Sequence, residues 1–118
     1  MRKSDNPVLV SVTRFLKIKA TEFKAPIWRT LAKKLEKSNK KRCAVNLSRI
    51  NRYTEDGETV TVPGKVLGGG TLDHKVTVAA FQFSDEAKKK IEATGGECLT
   101  FSDLIEKNHK GKNLKIIG

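Results

Sequence analysis

The segment Val76–Phe83, with the sequence VTVAAFQF, constrains the fold more than any other part of the chain. Its two alternating sets of side chains are both mostly apolar, whereas a strand with one face in water alternates apolar and polar residues. The segment therefore predicts a strand that is buried on both faces.

Shorter periodic segments surround this strand. Apolar residues at helical spacing predict helices over residues 7–23, from Pro26 onward, 85–94 and from Ser102 onward, and a single helical turn over 46–51. Asn6 is expected to cap the helix at 7–23 and Ser84 the helix at 85–94, and Gly95-Gly96 is expected to end the latter. Short runs of branched residues predict strands over residues 43–47, 59–62, 65–67 and 98–100, and Pro63-Gly64 is expected to end the second of these in a turn. Helices that alternate with strands favour an α/β fold.

The chain has 118 residues, the size of one domain. We expect a single domain over residues 1–118, with a basic helical region at 1–52, a β/α core at 53–107 and a basic tail at 108–118. No run approaches the ~20 apolar residues of a membrane span, and the start lacks an apolar signal segment. Two cysteines in a lysine-rich chain are typical of a reduced, intracellular protein.

Charge is segregated along the sequence. Residues 1–52 contain 15 Lys and Arg against 3 Asp and Glu, residues 53–106 contain 5 against 10, and residues 107–118 contain four Lys and no acid. The net charge of +11 therefore belongs to the two ends of the chain. Segregation of this size indicates a polyanionic partner. Nucleic acid fits better than an anionic membrane, since each apolar stripe of the helices is needed for the core.

No motif for a cofactor, metal or catalytic group stands out. Gly68-Gly69-Gly70 lacks the Lys-Ser/Thr pair of a phosphate-binding loop, and Asp73 stands where a dinucleotide motif needs its third glycine. The run therefore predicts a structural turn. Cys43, Cys98, His74 and His109 include no closely spaced pair of metal ligands.

These four residues are better explained individually. The two thiols are expected to be small buried side chains, and His74 is expected to be solvated or a phosphate contact. The acidic segment 55–58 is typical of an exposed turn, and nothing around either cysteine resembles a catalytic signature. We expect no enzyme activity, no cofactor, no metal and no small-molecule substrate.

The basic residues between 33 and 52 are interrupted by one acid, Glu36. Lys33 and Lys37 near Glu36 fit a solvated helix face, whereas Lys40-Lys41-Arg42 has no acid to relieve its repulsion. Nucleic-acid phosphates would relieve it, and release of counterions would supply affinity. Trp28 and Tyr53 are of the type that stacks on bases, although Trp28 lies on an apolar stripe and is expected in the core.

A longer pattern carries a family resemblance. Residues 65–95 run KVLGGGTL, three residues, VTV, four residues, FS, two residues, A, three residues, I, three residues, G. This spacing resembles the signature shared by bacterial large-subunit ribosomal protein fifteen and archaeal and eukaryotic large-subunit ribosomal protein eighteen. WRTLA at 28–32 and AVNLSRI at 44–50 are similar to the eighteen branch, as is the tail at 108–117, and the short length resembles archaeal members.

The resemblance implies an irregular β-β-α superhelical arrangement and a structural, non-catalytic role in the large ribosomal subunit, in the cytoplasm. The implied partners are ribosomal RNA, bound through phosphate and ribose contacts, and neighbouring ribosomal proteins, with no membrane. A DNA-binding architectural or regulatory protein is the alternative. The resemblance and the charge pattern together give the candidate RNA contacts: Arg2, Lys3, Lys40, Lys41, Arg42, Arg49, Arg52, Lys65, Lys110, Lys112 and Lys115.

Overall fold

A parallel β-sheet with helices on both faces forms the centre of the computed structural model, which describes residues 7–38 and 44–118. Within these ranges, five helices and five strands follow one another along the chain. They are α1 Pro7–Glu22, α2 Pro26–Ser38, β1 Ala44–Asn46, α3 Leu47–Tyr53, β2 Glu58–Leu67, β3 Val76–Phe83, α4 Asp85–Ala93, β4 Glu97–Leu99, α5 Phe101–Lys107 and β5 Leu114–Ile116. The predicted α/β fold is confirmed.

β2 pairs with three other strands of the sheet, β1, β3 and β5. β3 pairs with one side of β2 and β4 pairs with β3, giving the order β1-β2-β3-β4. β1 and β5 share the other side of β2, because β1 pairs with residues 65–67 and β5 pairs with residues 59–61. All of these pairings are parallel. The amino ends of the strands therefore lie at one edge of the sheet and the carboxyl ends at the opposite edge.

Alternate side chains of the sheet enter two separate apolar clusters. Ala79 packs with α1, α2 and α5, where Leu16, Trp28 and Leu31 are fully buried. Its neighbours Val78 and Ala80 point to the other face and pack with α3 and α4. The expectation that β3 is covered on both faces is confirmed, and its predicted bounds of 76–83 are those observed.

β2 differs from its prediction. Pro63-Gly64 does not end the strand, which continues from Glu58 to Leu67. Val62 pairs with Ala80 and Lys65 with Gln82, so β2 carries one more residue than β3 over this interval. Such a bulge leaves one residue out of the ladder, which is where a central strand tolerates a proline that has no amide hydrogen. The prediction of two strands separated by a turn was wrong for this reason.

The connection from β2 to β3 contains no helix, although the two strands are parallel. β2 is about 30 Å long, and the nine peptide steps from Leu67 to Val76 span at most about 32 Å. The connection must therefore be nearly extended, since a helix rises only about 1.5 Å per residue. This direct return of the chain, followed by α4, is the β-β-α unit of the fold.

Neighbouring segments supply the hydrogen bonds that an extended connection cannot make with itself. Gly69 O accepts from Ser48 N (3.0 Å), Asn51 Oδ1 accepts from Asp73 N (3.1 Å), and Asp56 Oδ1 accepts from Lys75 N (3.0 Å). α3 and the turn that follows it therefore hold the connection along its length. Gly70, with φ of +85°, passes so close to Ser48 that a Cβ would collide with its side chain.

The predicted helices are all present, with shifted ends. α3 continues to Tyr53, beyond the single turn predicted, and α5 begins at Phe101 because Thr100 and Asp103 form a capping box. Ser84 caps α4 by accepting from Ala87 N (3.1 Å), and Gly95 with φ of +86° follows its end, as predicted. The predicted cap at Asn6 lies outside the described residues.

The segment predicted as a basic tail supplies β5 and part of the core. Ile117 is buried, and its N–H donates to Thr61 O (2.9 Å). Trp28 is buried in the core, as predicted, and its Nε1–H donates to His109 O (2.9 Å), while the His109 ring stacks on Phe23 at 4.3 Å. The end of the described chain therefore ties the sheet to α1 and α2.

Gly57 and Gly70 share a positive φ, and substituting each of them tests how closely the β2–β3 connection packs against α3. Gly57 has φ of +86°, and a Cβ there would meet nothing within 4 Å. We expect Gly57→Ala to lower the free energy of unfolding by about 1–2 kcal/mol, the cost of a left-handed alanine. Gly70→Ala adds the collision with Ser48, for a total of about 2–5 kcal/mol. Urea unfolding of both variants measures the difference. Equal losses of unfolding free energy would show that Gly70 is not in close contact with Ser48.

Candidate nucleic-acid interface

One strand from each basic region of the sequence pairs with the same side of β2. β1 follows the segment that contains Lys40, Lys41 and Arg42, and β5 belongs to the lysine-rich end; both pair with the same side of β2. α3 begins directly after β1, and the Lys115 ammonium on β5 donates to Tyr53 O at the last residue of α3 (2.9 Å). α3 is therefore the element that connects β1 to β5.

α3 is amphipathic within its seven residues. Leu47 and Ile50, three residues apart, are fully buried, whereas Arg49, Arg52 and Tyr53 are exposed. Residues three and four apart lie on one side of a helix, so the last three residues named form one outward surface, which we call the α3 face. In the part of the chain that the structure describes, neither guanidinium of the α3 face has a hydrogen bond or ion pair.

Two other predicted contacts are also exposed. Lys65 lies on β2 between Ala44 of β1 and Gln82 of β3, and Lys112 lies in the turn before β5. Lys112 bonds with Asn108 through its backbone only. Against residues 7–38 and 44–118, neither ammonium makes an ion pair. Both side chains are therefore available to an anionic partner.

Lys110 and Lys115 differ from these residues, since both ammonium groups have partners in the fold. Lys110 Nζ donates to Phe23 O (2.7 Å), and Lys115 Nζ pairs with Glu58 Oε1 (3.1 Å) besides its bond to Tyr53 O. The pKa of Glu58 is lowered from its ordinary value, first by the Glu55 amide and then by the Lys115 ammonium. Arg2, Lys3, Lys40, Lys41 and Arg42 lie outside the described residues.

Lys33 and Lys37 on α2 are less neutralised than their place in the sequence predicts. Glu36 stands beside them in the sequence as a neutralising acid, but Glu36 Oε2 pairs with Lys17 of α1 at 2.9 Å. Among the described residues, Lys33 and Lys37 have no acidic partner. Glu36 stands three residues after Lys33, a spacing that allows an ion pair on one helix, so only the position of Lys17 on α1 shows that Glu36 pairs elsewhere.

The glycine run has a structural role, as predicted, but it lies in the nearly extended β2–β3 connection and is not a turn. Lys90 Nζ donates to Gly68 O (2.7 Å) and to Gly70 O (2.9 Å), and Gly69 N donates to Asn46 Oδ1 (3.2 Å). A Cβ on Gly68 would lie 2.6 Å from the Glu86 side chain. The glycines therefore permit close packing against α3 and α4, and the carbonyl groups are occupied by a lysine of the same chain.

The prediction that His74 is solvated or contacts phosphate was wrong. Its side chain is only 16% exposed; Nε2 lies 2.7 Å from Thr54 Oγ1 and Nδ1 lies 2.9 Å from Asp73 Oδ1. Thr54 Oγ1 also lies 2.7 Å from Ile50 O, to which its hydroxyl donates. The His74 hydrogen bond is the largest cause of the lowered pKa of Asp73. His74 thus fastens the β2–β3 connection to the end of α3.

No catalytic arrangement emerges from the described residues. Burial raises the pKa of Cys98 to about 11, so this half-buried side chain is a neutral thiol at pH 7. No group of three His, Cys, Asp or Glu is placed to hold a metal within the described ranges. An open pocket of about 450 Å³ between α1 and β3 has no titratable lining residue. Cys43 lies outside the described residues.

The described helices include none long and apolar enough to cross a membrane.

Comparison with known proteins agrees with the sequence pattern. A family model described as "Ribosomal protein 60S L18 and 50S L18e" matches residues 1–118. A protein named large ribosomal subunit protein eL18 from Methanothermobacter thermautotrophicus is 50% identical over 112 residues, which are 95% of this chain and 93% of the relative. Its namesake from Methanococcus maripaludis is 47% identical over 114 residues, 97% and 95% of the two chains. That from Methanospirillum hungatei is 45% identical over 118 residues, 98% of each.

Lys115 and Lys112 form a matched pair for testing which lysines the fold itself uses. We expect Lys115→Met to lower the thermal midpoint by a few degrees at pH 7, because Tyr53 O and Glu58 lose their partner. Lys112→Met removes the same charge and should leave the midpoint unchanged. Thermal unfolding followed by circular dichroism measures both, and equal midpoints for the two variants would show that the bonds of Lys115 contribute nothing.

The pH dependence of the Lys115→Met effect follows from Glu58. A folded-state pKa below the ordinary value of 4.5 contributes stability above pH 4.5, and this contribution is lost as pH falls through the folded-state pKa. The difference in midpoint between the natural chain and Lys115→Met should therefore shrink below pH 4.5 and be constant between pH 6 and 8. A difference that grows on acidification would show that Glu58 is not the partner that matters.

Proposed function

Since this chain belongs to the ribosomal protein family described as 60S L18 and 50S L18e, we propose that it holds ribosomal RNA through phosphate and ribose contacts centred on the α3 face. The members of this family are structural components of the large ribosomal subunit, and this chain is a structural constituent of that subunit and not an enzyme. The resemblance to the archaeal and eukaryotic eighteen branch is confirmed.

One observation carries the proposal. The exposed arginines of α3 make no ion pair with any residue that the structure describes, in a chain whose other surface cations are often paired, as in Lys17 with Glu36 and Lys107 with Glu97. Within the described residues, Arg49 and Arg52 are therefore uncompensated positive charges on a rigid helix. A phosphate backbone would neutralise them and release its counterions.

The chemistry of arginine suits this role. A guanidinium presents two parallel N–H donors to a phosphate, whereas an ammonium acts as a point charge. Arg49 and Arg52 are three residues apart on α3, so they contact phosphates from one side of the helix. Lys65 on β2 and Lys112 before β5 are further exposed cations outside α3 that an RNA backbone can contact. Contacts of this kind fix position and orientation on RNA without reading bases.

The remaining candidate contacts fall into two groups. Lys110 and Lys115 have partners within the fold, and their role toward RNA is to position the end of the chain and α3. Arg2, Lys3, Lys40, Lys41 and Arg42 stay predictions from sequence, as contacts on the segments that precede α1 and β1. We also propose neighbouring ribosomal proteins as partners; the described surface identifies none of them.

The salt dependence of binding tests the α3 face. The logarithm of affinity for ribosomal RNA should fall linearly with the logarithm of salt concentration, and removal of one phosphate-binding side chain should reduce the slope by about 0.7–0.9. Arg49→Gln and Arg52→Gln should therefore each flatten the slope by about that amount, measured by filter binding. Lys107→Gln is the control, because it removes one charge that Glu97 already pairs. Equal slopes for the natural chain and all three variants would show that the α3 face does not contact RNA phosphates.

A competition experiment distinguishes RNA from DNA as the partner. The natural chain is titrated with labelled ribosomal RNA at one salt concentration, and unlabelled RNA duplex or DNA duplex of equal length is added as competitor. We expect RNA to compete better, because the contacts include ribose as well as phosphate. Preference for DNA would instead support an architectural or regulatory DNA-binding protein.

A further inference from the structure

Tyr53, the last residue of α3, is the most exposed aromatic side chain in the described part of the chain. The residue is 53% exposed, and the other large exposed apolar residues, Val8, Val10 and Ile18, are aliphatic and lie on α1. Burial of an aromatic ring is favourable, so a half-exposed ring offers a flat apolar surface that a partner can cover. No ring of the described residues stacks on Tyr53, and its hydroxyl makes no hydrogen bond there.

The backbone beneath this ring is fixed from three directions. Tyr53 O accepts from Lys115 Nζ, which reaches it from β5. Thr54, the next residue, is buried, and its hydroxyl bonds to Ile50 O and to His74 Nε2. Ile50, one turn earlier, is fully buried. A ring on such a backbone loses little conformational entropy on binding, which is what a stacking platform requires.

The charges beside the ring indicate what covers it. Arg49 precedes Tyr53 by one helical turn, and Arg52 is its direct neighbour; the structure shows no acid paired with either among the residues it describes. The two arginines favour an anionic partner on their side of the ring, whereas Glu55 and Asp56 lie in the exposed turn on the other side in sequence. A protein surface that satisfies both arginines needs carboxylates close to an apolar patch, whereas every unpaired nucleotide carries a flat base next to a phosphate.

From this combination we propose that Tyr53 stacks on an unpaired base of the RNA while Arg49 and Arg52 hold the flanking phosphates. The α3 face thus selects a bulge, loop or strand end over a continuous duplex, in which the bases stack on one another and are closed to the ring. This proposal rests on the proposed RNA-binding function and adds to it the class of RNA element. Recognition is independent of base identity, because every base has a face that stacks.

The test compares short single-stranded oligoadenylate with a blunt RNA duplex of the same length. Tyr53→Leu should weaken binding of oligoadenylate by about 10- to 100-fold, change duplex binding little and leave the salt slope unchanged. Tyr53→Phe should bind as the natural chain does, because stacking uses the ring and not the hydroxyl. Arg49→Gln should flatten the slope for both probes. Thermal unfolding confirms that the variants, altered at an exposed site, keep the fold.

A spectroscopic signature adds a readout that a purely structural role of Tyr53 would not move. Tyr53 is the single tyrosine of the chain, so ring-labelled tyrosine gives one set of NMR signals. Stacking on adenine should shift these ring protons upfield with oligoadenylate, and duplex should leave them in place. Absence of the upfield shift at saturating oligoadenylate would overturn the proposal.

The outcomes distinguish this inference from the function on which it rests. If the natural chain binds neither probe at low salt, RNA binding itself fails. If it binds both and Tyr53→Leu changes neither affinity, RNA binding stands and base stacking is overturned. If Tyr53→Leu binds RNA normally but no longer co-sediments with large subunits, the ring contacts a protein, and base stacking is overturned as well.

Discussion

The pairing of β1 and β5 with the same side of β2 is the interaction that determines where the α3 face lies. Each is only three residues long, and each occupies a different half of the longer strand. Because both run parallel to β2, the chain must enter β5 at the amino edge and leave β1 at the carboxyl edge. α3, which starts from β1 and is held at its end by Lys115 of β5, therefore lies between two strands far apart in sequence.

The direct return from β2 to β3 imposes the second constraint. A nearly extended connection has no hydrogen bonds of its own, and the fold supplies them from α3, from the turn after it and from α4. Gly70, Lys90 and His74 all serve this purpose: one permits close approach, one binds carbonyl oxygens and one joins Asp73 to Thr54. The same contacts fix the backbone of α3, so the rigidity of the proposed RNA surface derives from the connection behind it.

Much of the fold followed from local pattern. β3 and α4 were predicted closely because their signals are local: two apolar faces, a Ser cap and a Gly stop. Pro63 was misread because a proline ends a strand unless a partner strand allows a bulge, and the partner is remote in sequence. His74 was misread for the same reason, since its two hydrogen-bond partners include Thr54, twenty residues away. The sequence placed Glu36 as a neutralising acid near Lys33 and Lys37, but its actual partner, Lys17, lies on another helix.

The sequence by itself determined the family, the α/β class, the structural nature of the glycine run and the basic character of both ends. These properties depend on residue type and short-range spacing, which the chain carries without folding. The tertiary structure alone decided which cations are free: Arg49 and Arg52 face outward unpaired among the described residues, whereas Lys115 is held by Glu58 and Tyr53. Charge pairing depends on distance through space, and that distance is set by the register of β1 and β5 on β2.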